Sequence, residues 1–137
     1  MNRYVSNELR RAVIERANSR CEYCLFPQRF FGMSFHIEHI IALKHSGQTI
    51  IENLALACST CNEFKGTDVA SYDFEFDGAL VPFFNPRTQI WTEHFQIEIN
   101  GEIIPLTAEA RVTARILRFN DEERIEERCV LIEAGIY

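Results

Sequence analysis

The sequence predicts a single domain of the α+β class, and three features lead to that prediction. Its 137 residues are enough for one compact core but too few for two. The hydrophobic fraction of 47% and the charged fraction of 25% are those of a folded globular chain. Segments with helical spacing are interspersed with short extended ones. We therefore expect one domain over residues 1–137.

The first half of the chain predicts a helix, an extended segment and a second helix. Ser6 can cap a helix from Asn7 to about Ser19, since apolar residues recur there at helical spacing. Residues 33–41 form a short extended run. Residues 62–65 predict a helix that ends at Gly66, because glycine is common just beyond helix ends.

A hairpin is predicted in the second half of the chain. Residues 94–99 alternate apolar and polar side chains, and Asn100-Gly101 is the typical pair of a type I′ turn before residues 102–105. Residues 76–84 are expected to be irregular, since Pro82 cannot belong to a central strand.

Two helices are predicted after this hairpin. Thr107 opens the first of them. Asn120 is expected to cap the last helix, with Glu123 three residues further on, and Gly135 is expected to close it.

Four of the five cysteines form two Cys-x-x-Cys pairs, Cys21/Cys24 and Cys58/Cys61. Each such turn presents two sulfurs on one side, and two turns complete a tetrahedron of sulfurs about 2.3 Å from a zinc ion. Four cysteines leave no open coordination position, so we expect a structural Zn²⁺ and not a catalytic one. A redox Cys-x-x-Cys or four unligated core thiols are the alternatives. Cys129 is expected to lie in the core.

The composition indicates a cytoplasmic protein. No apolar run approaches the ~20 residues that a membrane helix needs, and the first residues are polar, unlike a secretion signal. Paired cysteines in a reducing compartment bind metal more often than they form disulfides.

The distribution of charge limits the kind of nucleic-acid binding that can be expected. The net charge of −6 argues against a protein that simply coats nucleic acid. Residues 1–66 hold eight Lys/Arg and six Asp/Glu, a net +2, so the acidity lies in the C-terminal half. Strong, salt-dependent DNA affinity does not follow from +2.

The motifs around the cysteine pairs resemble the HNH endonuclease family. They share its order: Cys21-x-x-Cys24, Phe35-His36-Ile37-Glu38-His39-Ile40, Asn53-Leu54-Ala55-Leu56-Ala57-Cys58 and Cys61-Asn62-x-x-Lys65-Gly66. The resemblance covers residues 21–66 as a motif core and leaves residues 67–137 as a C-terminal extension. Phe84-Asn85-Pro86-Arg87 and Trp91-x-x-His94-Phe95 look, more weakly, like the tail of small bacterial HNH proteins. The resemblance implies a ββα-metal fold.

The resemblance also implies roles for four residues. Glu38, where the family more often has Asp, and Asn62 would hold a catalytic Mg²⁺ or Mn²⁺ ion. His39 would be the general base that deprotonates the attacking water. Asn53 would brace the loop and orient that histidine. The chemistry is suitable, because a neutral imidazole accepts a proton near neutral pH and oxygen ligands suit hard cations.

Strand geometry raises a question about Glu38 and His39. Adjacent residues on a regular strand point to opposite faces, so a turn or bulge is expected near them if both are to reach one phosphate. His36 would share the face of Glu38 and is a candidate extra ligand or phosphate contact, although a packed structural histidine is the alternative.

Three further residues are candidates for contact with DNA phosphates. Lys65 lies three residues after Asn62 on the same helical face, and a solvated surface lysine is the alternative interpretation. Lys44 and His45 are similar candidates. The sequence thus predicts a metal-dependent DNA endonuclease that cuts one or both strands. The competing hypothesis is a catalytically silent zinc module that binds nucleic acid or a protein.

Overall fold

The computed structural model describes residues 4–137. The chain divides into two compact units between Val69 and Ala70. This boundary lies three residues beyond Gly66, where the motif core is predicted to end.

Among its described residues, the N-terminal unit contains two α-helices, three short 3-10 helices and a two-stranded antiparallel sheet. Its α-helices and strands are α1 (Asn7–Arg16), β1 (His36–His39), β2 (Leu54–Ala57) and α2 (Ser59–Lys65). Strands β1 and β2 pair in a continuous register, and every residue of β2 is buried. The order β1, β2, α2 is the predicted ββα core.

Helix α1 begins as predicted but ends earlier. The Oγ of Ser6 accepts a hydrogen bond from the backbone N–H of Leu9 at 3.1 Å. The helix ends at Arg16 because Asn18 and Ser19 adopt φ angles of 54° and 55°, which interrupt a right-handed helix. The Arg16 guanidinium donates to the carbonyls of Ile51 and Leu54, so it ties the end of α1 to the start of β2.

Helix α2 ends at Gly66 as predicted and begins three residues before the predicted start. The Sγ of Cys58 accepts a hydrogen bond from the backbone N–H of Cys61 and so caps the first turn. Gly66 has a φ of +52°, which favours glycine. Cysteine is not a typical cap residue, and for this reason the first turn was not predicted.

The C-terminal unit contains two hairpins and three helices among the described residues. Its elements are β3 (Ala70–Asp73), β4 (Ala79–Pro82), α3 (Trp91–His94), β5 (Phe95–Ile97), β6 (Ile103–Pro105), α4 (Ala108–Ile116) and α5 (Glu122–Glu133). Its core is formed by large buried apolar side chains, which include Phe84, Phe95, Ile103, Val112, Leu117 and Phe119.

The prediction that residues 76–84 are irregular is wrong for residues 79–82. These residues form β4 and pair with β3, which was not predicted. Pro82 lies opposite Ala70 at the end of a two-stranded sheet, a position that proline tolerates. The hairpin is held on α4 by Arg111, whose guanidinium lies 2.7 Å from the Asp73 carboxylate.

The second hairpin is confirmed, with a different turn. A type I′ turn needs positive φ at both central residues, and Asn100 does not have one. Instead Gly101 alone has a positive φ, +96°, and its N–H donates to the carbonyl of Glu98. A Cβ at Gly101 would lie 2.2 Å from the carbonyl oxygen of Ile125, so only glycine fits there.

Helix α4 begins as predicted, because Thr107 caps it through a bond from the N–H of Ala110. The cap predicted for α5 is wrong, since Asp121 occupies that position. The amide of Asn120 is used elsewhere, bonding both the N–H and the carbonyl of Ile103. Cys129 is half-buried and not in the core.

Across residues 4–137, no helix combines the length and the apolar character that crossing a membrane requires.

Candidate metal centre and active site

The four paired cysteines meet in one buried cluster. Their sulfur atoms all lie within 4.8 Å of one another, and the Sγ atoms of Cys24 and Cys58 are 3.8 Å apart. Four sulfurs held about 2.3 Å from one zinc ion would be separated by about 3.8 Å. The cluster therefore has the ligand number, ligand type and spacing of a four-cysteine zinc site.

Backbone amides support this cluster on both of its turns. The N–H of Cys24 donates to the Sγ of Cys21 at 3.5 Å, and the N–H of Cys61 donates to the Sγ of Cys58 at 3.3 Å. Donors aimed at sulfur favour the thiolate, which is the form that binds metal. The first turn is joined to β2 because the N–H of Glu22 donates to the carbonyl of Leu56.

The burial of the sulfurs determines which protonation state the cluster can adopt without a bound ion. Burial, followed by hydrogen bonds among the sulfurs, raises the pKa of the Cys21 thiol well above its usual range. Burial is also the main cause that raises the pKa of Cys61. Four buried thiolates repel one another because no water screens their charges, so the metal-binding form needs a dication to balance its charge.

The carboxylate of Glu38 is buried against α2. The Tyr23 hydroxyl donates to its Oε1, and the Nζ of Lys65 lies 3.1 Å from its Oε2. Burial raises the pKa of Glu38, while the charge of Lys65 and the hydrogen bond from Tyr23 act in the opposite direction. Glu38 is thus held by two donors from different parts of the chain.

Lys65 does not lie at the surface, where either a contact with a DNA phosphate or a solvated lysine would place it. Its side chain is only 2% exposed, and its Nζ donates to the carbonyl of Ile40 at 2.9 Å as well as to Glu38. The Nζ also lies 3.4 Å from the carbonyl oxygen of His39. In this position the ammonium group balances the charge of the Glu38 carboxylate, donates to backbone carbonyls and does not project toward solvent.

His39 lies beside Glu38 in the sequence but on the other face of β1. The strand has no bulge, and the chain bends directly after it, at residues 40–41. The Nε2 of His39 is 2.9 Å from the Oγ1 of Thr49. Burial and the charge of Lys65 lower the pKa of His39, so the half-buried imidazole is neutral near pH 7.

Asn53 joins the two ends of the loop that follows β1. Its Oδ1 accepts from the N–H of Ile41, and its Nδ2 donates to the carbonyls of Ile41 and Gln48, each at 2.9 Å. A Cβ at Gly47 would lie 1.7 Å from the carbonyl oxygen of Ile41, so the loop can close this tightly only with glycine. Because Thr49 belongs to this loop, the bracing also fixes the partner of His39.

Replacing Asn53 with alanine is expected to destabilise this loop. Three hydrogen bonds are lost, and because they are partly exposed the expected loss of unfolding free energy is about 1–3 kcal/mol. Chemical denaturation of the two proteins measures the difference. Gln48→Ala is the matched control, since only the backbone of Gln48 bonds to Asn53, and an equal loss in both variants would contradict the bracing role.

The other candidate residues are distributed around this site. Asn62 is a half-buried residue of α2, one turn before Lys65, and its side chain makes no hydrogen bond among residues 4–137. His36 is exposed at the start of β1. Lys44 and His45 are exposed on a short 3-10 helix after the strand. The structure brings Glu38 and Lys65 into contact and leaves His36, Lys44 and His45 open to solvent.

Sequence reasoning missed Tyr23 and Thr49. Both act through their hydroxyl groups on residues that are distant in the sequence, Glu38 and His39. No spacing rule identifies such a contact. The only available signal was the position of Tyr23 between two zinc ligands.

The fold and the site together define a class of protein, that of the ββα-metal fold with a four-cysteine cluster suited to zinc. Comparison with known families agrees, since residues 21–68 match the family model of the HNH endonucleases. The resemblance predicted from the motifs is therefore confirmed for this segment. No curated protein and no solved structure gave a significant match to the chain.

Proposed function

We propose that this protein is a metal-dependent endonuclease that hydrolyses DNA phosphodiester bonds. The observation that carries the proposal is the position of His39, which is half-buried on β1 with its Nε2 2.9 Å from the Oγ1 of Thr49, within the segment that matches the HNH endonucleases. A cytoplasmic location agrees with the reduced state that zinc-binding cysteines require.

His39 would act as the general base. A ring nitrogen of the neutral imidazole accepts a proton from water as that water attacks the phosphorus atom. The Oγ1 of Thr49, 2.9 Å from Nε2, fixes the plane of the ring. Asn53 holds the loop that carries Thr49, so it acts on the base indirectly.

Glu38 and Asn62 would hold the catalytic Mg²⁺ or Mn²⁺ ion. Carboxylate and amide oxygens suit such ions. A carboxylate has about four acceptor sites, of which Tyr23 and Lys65 use two, and the Asn62 amide has no hydrogen-bond partner among the described residues. A bound ion would stabilise charge on the phosphoryl oxygens and on the leaving oxygen.

The proposed DNA contacts come from exposed residues of the N-terminal unit. His36, Lys44 and His45 are exposed on β1 and on the loop that follows it, and they are the candidates for phosphate contacts. With a net charge of only +2 over residues 1–66, binding would rely on these local contacts and on the metal ion.

The experiment that tests the proposal is cleavage of supercoiled plasmid with Mg²⁺ or Mn²⁺. Conversion to open-circle or linear DNA by wild type is expected, together with its loss in Asn62→Ala. Zinc content is measured in each protein to exclude unfolding. Absence of cleavage by zinc-loaded wild type across both ions would contradict the proposal.

One observation favours a second candidate function. Both oxygens of Glu38 already have hydrogen-bond donors, so the carboxylate is stable in this fold without a divalent ion. The alternative is therefore a catalytically silent zinc module that binds nucleic acid or a protein. Binding of DNA without cleavage in the plasmid experiment would favour it.

The pH dependence of cleavage should report the environment of His39. A general base works in its neutral form, so kcat/KM falls as the pH drops through its pKa. Burial and the charge of Lys65 lower that pKa from its ordinary value of 6.5, so the fall is expected below pH 6.5. A profile of kcat/KM against pH measures this, and a half-maximal rate above pH 6.5 would contradict the assignment.

A further inference from the structure

The contacts around Glu38 connect it to both zinc-binding turns. Tyr23 lies between Cys21 and Cys24, and Lys65 lies four residues after Cys61 on α2. We propose that Tyr23 and Lys65 are positioning residues that hold the Glu38 carboxylate ready for a divalent ion. This inference rests on the proposed function, because it gives Glu38 the role of a metal ligand.

Tyr23 is placed by the first zinc-binding turn. Its side chain is fully buried, and a buried hydroxyl is stable only if it is hydrogen-bonded. The hydroxyl donates to the Oε1 of Glu38, 15 residues away in the sequence. Because hydrogen bonds to the Cys21 sulfur and to β2 fix the backbone of this turn, the phenol has little freedom to move. It therefore sets the direction of one carboxylate oxygen.

Lys65 sets the other oxygen from the opposite side. Its Nζ lies within hydrogen-bond distance of the Oε2 of Glu38 and of two backbone carbonyls, those of His39, the last residue of β1, and of Ile40, which follows it. Bonds to the backbone prevent the ammonium group from following the carboxylate if the latter moves. Two donors from two different elements thus fix the plane of the carboxylate.

The need for two donors follows from the residue type at position 38. Glutamate has one more rotatable bond than the aspartate that is more usual there, so an unsupported arm would sample more conformations. Ion binding would then have to order the arm at a cost in affinity. When a residue that is hydrogen-bonded to a metal ligand is replaced, the affinity for the metal typically falls by about 10–100-fold.

The test measures Mn²⁺ binding directly, by electron paramagnetic resonance of free Mn²⁺, on zinc-loaded protein without DNA. Tyr23→Phe removes one oxygen atom and keeps the ring. We expect its Kd for Mn²⁺ to rise about 10-fold while the zinc content is unchanged. Tyr72→Phe is the matched control, because Tyr72 is an exposed residue of β3, and its Kd should equal that of wild type.

Lys65→Met is the second variant, and it tests the positioning role by itself if Tyr23→Phe does not fold. A positioning role predicts weaker Mn²⁺ binding, whereas tighter binding would show that the ammonium group competes with the ion and would overturn the role of Lys65. A positioning defect should also be rescued by saturating Mn²⁺, so that the cleavage rate of each folded variant approaches that of wild type.

The two proposals fail in different ways. Wild type that binds Mn²⁺ and cleaves DNA, with an unchanged Kd in Tyr23→Phe, would overturn the inference about Tyr23 and leave the proposed function intact. Zinc-loaded wild type that neither binds Mn²⁺ nor cleaves would contradict the proposed function, and the inference would fall with it.

Discussion

Replacing Cys58 with serine is expected to release the zinc and unfold the N-terminal unit. Structural zinc contributes roughly 10–16 kcal/mol of binding free energy to small zinc domains, which matches or exceeds the total stability of an ordinary domain, about 5–15 kcal/mol. Cys58 has a second function, since its sulfur caps α2 and accepts from the N–H of Cys61. A serine hydroxyl can accept from the same N–H, so the variant keeps a helix cap and loses only a zinc ligand.

Zinc content and circular dichroism measure this outcome. We expect about one zinc per chain in wild type and almost none in Cys58→Ser, together with a loss of helical signal. Cys129→Ser is the matched control, because Cys129 is half-buried in α5 and lies outside the zinc cluster. A Cys58→Ser protein with normal zinc and normal melting would contradict the structural role of the cluster.

Thiol titration separates this interpretation from a redox one. Zinc-bound thiolates react slowly, so in the native wild type only Cys129 should react readily. Two reactive cysteines from either Cys-x-x-Cys pair would instead favour a thiol-disulfide protein.

The parts of the fold that sequence reasoning predicted correctly depend on local rules. The two Cys-x-x-Cys pairs predicted the four-cysteine cluster because each turn fixes two sulfurs by itself. Ser6, Thr107 and Gly66 predicted helix ends because capping involves residues only a few positions apart.

The errors occur where a residue is used by a distant segment. Asn120 has the sequence context of a helix cap, yet its amide bonds Ile103, 17 residues away. Pro82 argues against a central strand, whereas a position at the end of a two-stranded sheet accepts it. In each case the local preference was real, and a tertiary contact overrode it.

The same limit applies to the candidate site. The sequence predicts a surface position for Lys65, as a phosphate contact or a solvated side chain, because nothing local identifies Glu38 as its partner 27 residues away. The support of His39 by Thr49 also depends on a closed loop, which Asn53 and Gly47 make possible. The order of the motifs predicts which segment carries the candidate site. Tertiary packing determines which of its side chains are fixed by hydrogen bonds and which are exposed to solvent.

The second large effect is expected from His39→Ala. Removing a general base typically lowers the rate about 10²–10⁴-fold. The fold should survive, because His39 is half-buried and its side chain bonds only to Thr49 among the described residues. Plasmid cleavage under single-turnover conditions measures the rate, and zinc content and melting temperature are compared with wild type.

Two further variants distinguish loss of a base from general damage. His94→Gln removes a histidine outside the segment that matches the HNH family, and it should cleave at the wild-type rate. Thr49→Val leaves the imidazole in place but removes the oxygen that orients it, so its rate should fall between those of wild type and His39→Ala. If His39→Ala cleaved as fast as wild type, another group would have to deprotonate the water. The neutral imidazole would then be only a packed side chain beside the loop.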